Sequence, residues 1–142
     1  MDETATQTER NKSVIRRFVE EVQNQRRWDV YDELTDPDFF NLSGLPGKAD
    51  REGSKQYLQS LIGAFPDCRF TVDDMIAEGD QVVTNKTISG THTVEFAGIP
   101  PTGKDLTLQY IDVMRIRDGR IIEHWLVLDQ LSFLQQLGII PS

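Results

Sequence analysis

The stretch that decides the fold is TLQYIDVMRIRDGRIIEHWLVLD, residues 107–129. Two runs rich in β-branched and aromatic residues flank Asp118-Gly119, a dipeptide typical of a tight hairpin turn. The stretch therefore predicts two long antiparallel strands. The first carries Asp112 and the second carries His124, and both side chains are candidates for acid–base chemistry. We expect the rest of the chain to form walls around the face on which they meet.

Two registers of this hairpin are possible. A two-residue turn at Asp118-Gly119 sets Arg117 opposite Arg120 and leaves charged residues on both faces of the hairpin, which is costly for a buried face. A three-residue loop with Gly119 in a left-handed bulge shifts the pairing by one residue. We favour the bulged register because it gathers the apolar side chains on one face and sends most charges to the other.

The bulged register predicts an inner face that is apolar except for Tyr110, Asp112 and His124, with Asp112 directly opposite His124. Burial raises the pKa of such an aspartate, a neighbouring imidazolium lowers it, and the pair titrates as a unit, so it is suited to proton transfer. The same pair could instead only satisfy its own hydrogen bonds in a core. The other residues of this face are Leu108, Met114, Ile122, Leu126 and Leu128.

The first half of the chain is predicted to be mainly helical. Apolar residues recur at four-residue spacing up to Gln25, which predicts an amphipathic helix that begins after a frayed segment, residues 1–9. A second helix is predicted over Trp28–Leu34. A third is predicted over Arg51–Phe65, with Asp50 as its N-cap.

The second half is predicted to be mainly strand, over Cys68–Ala77, over Gln81–Glu95 and in the hairpin. A glycine- and proline-rich loop, Phe96–Gly103, separates the last two and is either a lid or a stiff connection. A final helix over Leu131–Leu137 follows Asp129. Helices followed by an antiparallel meander indicate an α+β fold, in which a curved, cone-shaped, mainly antiparallel sheet is wrapped by the N-terminal helices around a pocket.

Composition limits the class of protein. The chain has 142 residues, is 38% hydrophobic and 27% charged, and is expected to form a single domain over residues 1–142. A net charge of −8 without a basic cluster argues against a nucleic-acid partner. No apolar run approaches the roughly 18 residues of a membrane span and the N-terminus lacks a signal-peptide core, so a cytoplasmic location and no membrane partner are expected. The lone Cys68 and the distant histidines predict no metal site.

Six segments resemble the SnoaL-like polyketide cyclases, also called predicted ester cyclases, of the nuclear transport factor two superfamily. They are NKSVIRRFVEEVQNQ (11–25), AFPDCRFTV (64–72), AEGDQVV (77–83), SGTHTVEFAGIPPTGK (89–104), IDVMRIRDGRIIEHW (111–125) and QQLG (135–138). The resemblance implies a cystatin-like, cone-shaped α+β barrel. It also implies a deep pocket for a hydrophobic small molecule and a homodimer formed through the outer face of the sheet.

The functional positions of this family carry over in part. Asp112 matches a pocket-facing acid on the first hairpin strand. The second strand of the family usually contains HWD, and Leu126 stands here in place of that aspartate. Asn41 resembles an asparagine that positions a water in the related limonene epoxide hydrolase, and Tyr110 lies near the position of that enzyme's pocket arginine.

These observations lead to one main hypothesis and two alternatives. The main hypothesis is a cyclase that acts on a hydrophobic carbonyl compound by cofactor-free acid–base chemistry, with Asp112 shuttling the proton and His124 tuning it. Tyr110 or Asn41 would donate a hydrogen bond to the developing oxyanion. The alternatives are a non-catalytic module that binds a hydrophobic ligand, and an epoxide-hydrolase-like enzyme in which Asn41 and Asp112 act on a water. Further candidate substrate contacts are Met114, Leu126, Phe39 and Trp28.

Two further expectations concern His92 and the outer face of the hairpin. His92 could line the mouth of the pocket, or it could be a partly exposed strand residue. The outer face of the hairpin is unusually apolar, which predicts a homodimer through that face. Its apolar residues are Ile111, Val113, Trp125 and Val127.

Overall fold

Five helical segments lie along the chain in a computed structural model that describes residues 3–44 and 47–142. Among these residues no helix is both long and apolar enough to cross a membrane. The helical segments are α1 (Glu3–Arg17), a π-helical segment (Phe18–Asn24), α2 (Trp28–Leu34), α3 (Arg51–Ala64) and α4 (Gln130–Gln136).

The strands form one curved sheet in the order β1-β5-β4-β3-β2. β1 pairs with β5 in parallel, and every other pairing is antiparallel. The predicted α+β class with a mainly antiparallel sheet is thereby confirmed, although the sheet stays open, with β1 and β2 as its edges. The strands are β1 (Thr35–Asn41), β2 (Arg69–Glu78), β3 (Gln81–Thr91), β4 (Asp105–Arg117) and β5 (Arg120–Leu128).

The helices begin and end largely where local signals place them. The Asp50 side chain accepts a hydrogen bond from the Gly53 amide at 2.8 Å and caps α3, and Asp129 does the same for the Ser132 amide at 2.9 Å in α4. Such caps contribute about 1 kcal/mol each. The prediction of a frayed N-terminus is wrong from residue 3 onward, because α1 begins at Glu3. Residues 1–2 lie outside the described residues.

The turn of the β4–β5 hairpin differs from the predicted one. Asp118 and Gly119 have φ angles of 52° and 77°, and Arg117 pairs with Arg120. Both residues therefore adopt the left-handed conformation of a two-residue turn, which aspartate tolerates better than most residues. The expected three-residue loop with a bulge at Gly119 is wrong.

A bulge is nevertheless present further along β5. Ile116 pairs with Ile121 and Arg115 pairs with Glu123, so Ile122 is the extra residue. One extra residue restores the predicted partition of faces beyond the bulge. Ile121, rather than the predicted Ile122, is the buried isoleucine.

The displaced bulge changes the residue that faces each candidate. Asp112 pairs with Leu126 and Met114 pairs with His124. The expectation that Asp112 lies directly opposite His124 is therefore wrong by two residues along β5. Because residues two apart share a face, the two side chains remain diagonal neighbours on the inner face.

Candidate functional site

A cavity of about 410 Å³ lies between the inner face of the sheet and the helices. Its volume lies within the range of small-molecule sites. β1, β4 and β5 supply one side, while α3, α4 and the loop at 96–99 supply the other. Most of the wall is apolar. The polar side chains in it include Gln23, Asn41, Ser43, Ser54, Tyr57, Tyr110, His124 and Gln130.

Most of the predicted contacts lie in this wall. His124, Tyr110 and Asn41 line the cavity, and so do three of the four predicted apolar contacts, namely Met114, Leu126 and Phe39. Trp28 is not among the residues that line the cavity, so its contact with a ligand remains only a prediction. It sits at the start of α2 and packs on the ring of Tyr31, with centroids 6.4 Å apart, while Tyr31 itself faces the cavity.

Asp112 is buried beneath the wall rather than exposed in it. Its side chain is 1% exposed, and it is not among the residues that line the cavity. Its Oδ2 atom lies 2.7 Å from the Nζ atom of Lys86. This contact has the distance of a close ion pair without the angular geometry of a hydrogen bond. A substrate in the cavity would therefore meet His124 before it met Asp112.

Lys86 is a functional candidate that local sequence patterns do not indicate. Its side chain is 0% exposed, although lysine is almost never fully buried without a partner. One signal could have found it: Lys86 has the same strand parity as Val82 and Ile88, which are both buried on β3. A lysine at an inward position of a strand requires a buried anion, and Asp112 lies on the neighbouring strand.

His124 contacts polar groups at both ring nitrogens. Its Nε2 atom lies 3.6 Å from Asp112 Oδ2, and its Nδ1 atom lies 3.4 Å from Asn41 Nδ2. The Asn41 amide is oriented by Ser43, whose backbone N–H donates to Asn41 Oδ1 at 2.8 Å. With that oxygen engaged, the Asn41 NH₂ group faces His124. The Nδ1 atom is then the acceptor, and the neutral ring carries its proton on Nε2, towards Asp112.

The charges of the site keep Asp112 ionised. Burial raises the pKa of Asp112, but the ammonium of Lys86 and the contact with His124 lower it, and the net pKa lies below the ordinary value of 3.8. Tyr110 shifts the other way. Burial and the charge of Asp112 raise its pKa well above 10.0, so the phenol keeps its proton and is a hydrogen-bond donor.

His92 occupies neither of the two expected positions. It is fully buried and does not line the cavity. Its ring stacks on Phe65 at 5.2 Å, and its Nδ1 atom accepts a hydrogen bond from the backbone N–H of Thr102 at 3.2 Å. It therefore fixes the end of the loop at 96–103, whose residues Phe96, Ala97 and Ile99 form part of the cavity wall.

Comparison with known proteins identifies the family. A model of the SnoaL-like polyketide cyclase family matches residues 13–137. Nogalonic acid methyl ester cyclase from Streptomyces nogalater is 30% identical over 121 residues, which cover 81% of this chain and 88% of that protein.

Solved structures agree with this assignment. IdmH from Streptomyces antibioticus, a proposed polyketide cyclase, is 36% identical with a TM-score of 0.79, over 90% of this chain and 98% of IdmH. AclR from Streptomyces galilaeus, a proposed hydroxylase, is 26% identical with a TM-score of 0.84, over 95% of this chain and 85% of AclR. The family predicted from the resemblance is confirmed, and the chain belongs to the SnoaL-like polyketide cyclases.

Proposed function

We propose that the protein is a cyclase that acts on a hydrophobic carbonyl compound by cofactor-free acid–base chemistry, with His124 as the group that takes the proton. One observation carries the proposal. The imidazole of His124 lies in a mostly apolar cavity wall, with its Nε2 atom 3.6 Å from a buried carboxylate that is itself paired with a cation. Such an arrangement favours a histidine that gains and returns a proton.

In the proposed reaction, Nδ1 of His124 removes a proton from a carbon next to a substrate carbonyl. Asp112 stabilises the imidazolium that forms, in the way a buried carboxylate orients and supports a catalytic histidine. The Asn41 amide and the Tyr110 phenol are donors for the developing enolate oxygen. The enolate carbon then bonds to a second carbonyl carbon of the same molecule, and the imidazolium returns the proton to the new alkoxide.

This assignment exchanges the roles expected for Asp112 and His124. The sequence predicts that Asp112 shuttles the proton and His124 tunes it. Burial supports the opposite arrangement, because a carboxylate that is 1% exposed beneath the wall cannot approach a substrate carbon, whereas His124 lines the cavity. The epoxide-hydrolase alternative loses support for the same reason, since it requires Asp112 to reach a water in the cavity.

A non-catalytic binding module remains the second candidate, and Leu126 favours it. This residue lines the cavity at the position where the resemblance places a second acid. Acid–base work at two ends of a substrate normally needs two groups, whereas here His124 lines the cavity and Asp112 is buried behind it. The mostly apolar wall supports a hydrophobic ligand under either proposal.

Deuterium exchange separates the two candidates. We expect the protein in D₂O, without added metal or cofactor, to exchange the α-protons of β-dicarbonyl compounds and aryl ketones, because a base in the cavity removes them reversibly. Mass spectrometry of the recovered compounds measures the exchange. If a ligand co-purifies with the protein but neither exchange nor turnover occurs across carbonyl, ester and epoxide compounds, the binding proposal replaces the enzyme proposal.

We also propose that the protein forms a homodimer through the outer face of the sheet. Val127 is 72% exposed and Ile111 is 48% exposed on that face, which is more apolar surface than a monomer usually presents. Val127→Asp is expected to shift the mass measured by light scattering at micromolar concentration from dimer to monomer. Val94→Asp is the matched control, since Val94 is 49% exposed in the segment after β3. A monomeric unmodified protein would contradict this proposal.

A further inference from the structure

We propose that Lys86 is a positioning residue of this site, which fixes Asp112 as an anion and thereby, together with the Asn41 amide, selects which nitrogen of His124 acts as the base. The inference rests on the proposed function only for its catalytic consequence. Lys86 does not line the cavity, so it has no contact with substrate and acts through Asp112.

The pairing of Lys86 with Asp112 is strong because both groups are removed from water. Both side chains are at most 1% exposed, and their charged atoms are 2.7 Å apart. The titratable groups that act on Asp112 besides Lys86 include His124 on β5 and Tyr110 on its own strand, and the buried, non-titrating Thr84 on β3 is its direct cross-strand partner. Removing one partner of a buried ion pair leaves the other as an uncompensated charge, which is far more costly than removing both.

The π-helical segment supplies the surroundings of the Lys86 ammonium. The Nζ atom lies 3.4 Å from Gln23 Oε1 and 5.8 Å from the centre of the Phe18 ring. It also lies 5.7 Å from the ring of Tyr110. These contacts give the ammonium one hydrogen-bond acceptor and two aromatic faces in addition to Asp112.

The π geometry explains how Phe18 and Gln23 reach the same lysine. Residues five apart are separated by about 140° around an α-helix of 3.6 residues per turn. In a π-helix, bonds join residues five apart, and these residues lie nearly above one another. The Gln25 amide donates to the Glu20 carbonyl at 3.0 Å in this pattern. The wider turn therefore places Phe18 and Gln23 together on the face that covers Lys86.

Lys86 affects the proposed base through three side chains in contact, namely Lys86, Asp112 and His124. With Lys86 present, Asp112 is an anion 3.6 Å from Nε2 of His124, and its charge favours the ring form that carries the proton on Nε2. Nδ1, which faces the Asn41 amide, is then the unprotonated nitrogen that can take a proton. Without the ammonium, Asp112 can take up a proton and no longer selects the Nε2–H form of the ring. Lys86 thus acts through Asp112, alongside the Asn41 amide at Nδ1, on the tautomer of the proposed base without contacting the substrate.

The experiment compares Lys86→Met, Asp112→Asn and the double variant by urea unfolding and by ¹⁵N NMR of the His124 ring. Each single variant is expected to lower the folding equilibrium constant about 100-fold or more. The double variant is expected to lower this constant by a factor much smaller than the product of the two single-variant factors. In Lys86→Met the ¹⁵N shifts are expected to move from the Nε2–H form towards a mixture. Lys55→Met is the matched control, since Lys55 pairs with Asp32 outside the cavity wall.

The pH dependence of stability is a second measurement, and its sign is expected to differ between the unmodified protein and Lys86→Met. In the unmodified protein the pKa of Asp112 lies below 3.8, so the stability it contributes is complete above pH 3.8 and is lost as the pH falls below that value. In Lys86→Met, burial raises the pKa of Asp112, so stability is expected to fall as the pH rises from about 4 to 7. If Lys86→Met does not fold, ¹³C titration of Asp112 in the unmodified protein tests the same pairing.

Three results would overturn the inference. They are additive effects in the double variant, a His124 tautomer that Lys86→Met leaves unchanged, and an Asp112 carboxyl that titrates above 3.8 in the unmodified protein. None of these measurements requires turnover. A protein that exchanges no substrate protons but shows the expected coupling and tautomer would therefore refute the proposed reaction and leave the role of Lys86 intact.

Discussion

We expect His124→Gln to lower kcat by about 10²- to 10⁴-fold in any reaction that the protein catalyses, because the substitution removes the base that takes the substrate proton. Glutamine preserves much of the volume in the wall, and its amide cannot accept a proton at neutral pH. The apolar wall around it is unchanged. Binding of a hydrophobic fluorescent probe should therefore stay within a few-fold of the unmodified protein, and the loss should fall on kcat rather than on KM.

The control for this prediction is the preceding residue. Glu123 lies on the outer face of the same strand, where its carboxylate pairs with the Arg115 guanidinium at 3.1 Å. Glu123→Gln changes the charge next to His124 in sequence but not in the cavity, so it should leave kcat unchanged. Equal losses in the two variants, or full activity in His124→Gln, would show that the imidazole is not the base.

Local signals were sufficient for most of the framework. The helix α2 spans Trp28–Leu34 as predicted, and the caps Asp50 and Asp129 begin α3 and α4 at the expected places. Each of these features depends on a few neighbouring residues, such as a side chain that accepts a bond from an amide three residues later. Within each of β4 and β5, period-two alternation likewise indicated which residues share a face, except at the bulge.

The position of the bulge could not be obtained in this way. Ile121 and Ile122 are identical in side chain, so their hydrophobicity does not tell which of them faces inward. The turn residues do not decide it either, because Asp118-Gly119 fits both a two-residue turn and the start of a bulged loop. The choice depends on packing across the sheet, where Ile121 pairs with Ile116.

Lys86 was missed because its partner is distant in sequence. A lysine on a strand is ordinarily a solvent-exposed residue, and local propensity gives no reason to bury it. Only the pairing of β3 with β4 brings it to Asp112. The π-helical segment is similarly hidden, since the four-residue spacing of Val14, Phe18 and Val22 fits a regular α-helix equally well.

Depth is the other property that alternation cannot supply. The preference for a bulged register put Asp112 and His124 on one face, but neither that register nor alternation tells how far each lies from the cavity. His124 reaches the wall, whereas Lys86 holds Asp112 beneath it. That difference in depth exchanges their proposed roles, and it follows from the tertiary position of a lysine on the neighbouring strand.

The residue opposite Asp112 leads to the second large expected effect. We expect Leu126→Asp to lower stability by about 2 kcal/mol at pH 7 and to lower turnover at least about tenfold. Leu126 and Asp112 are directly paired across β4 and β5. Two carboxylates at that distance cannot both ionise easily, so they would share a proton, and Asp112 would no longer be a full anion towards His124.

The stability of Leu126→Asp is expected to change with pH in a defined direction. The isosteric variant Leu126→Asn is the control that separates the effect of the charge from the loss of apolar contacts. Because the new carboxylate would have a raised pKa, the stability lost in Leu126→Asp should grow as the pH rises above about 4. Leu126→Asn removes the same apolar contacts without adding an anion, so its loss should not depend on pH in this range. Urea unfolding at several pH values and steady-state kinetics measure both effects. A gain of turnover in Leu126→Asp but not in Leu126→Asn would contradict this prediction. It would show that an acid at position 126, where the resemblance places one, is compatible with this site.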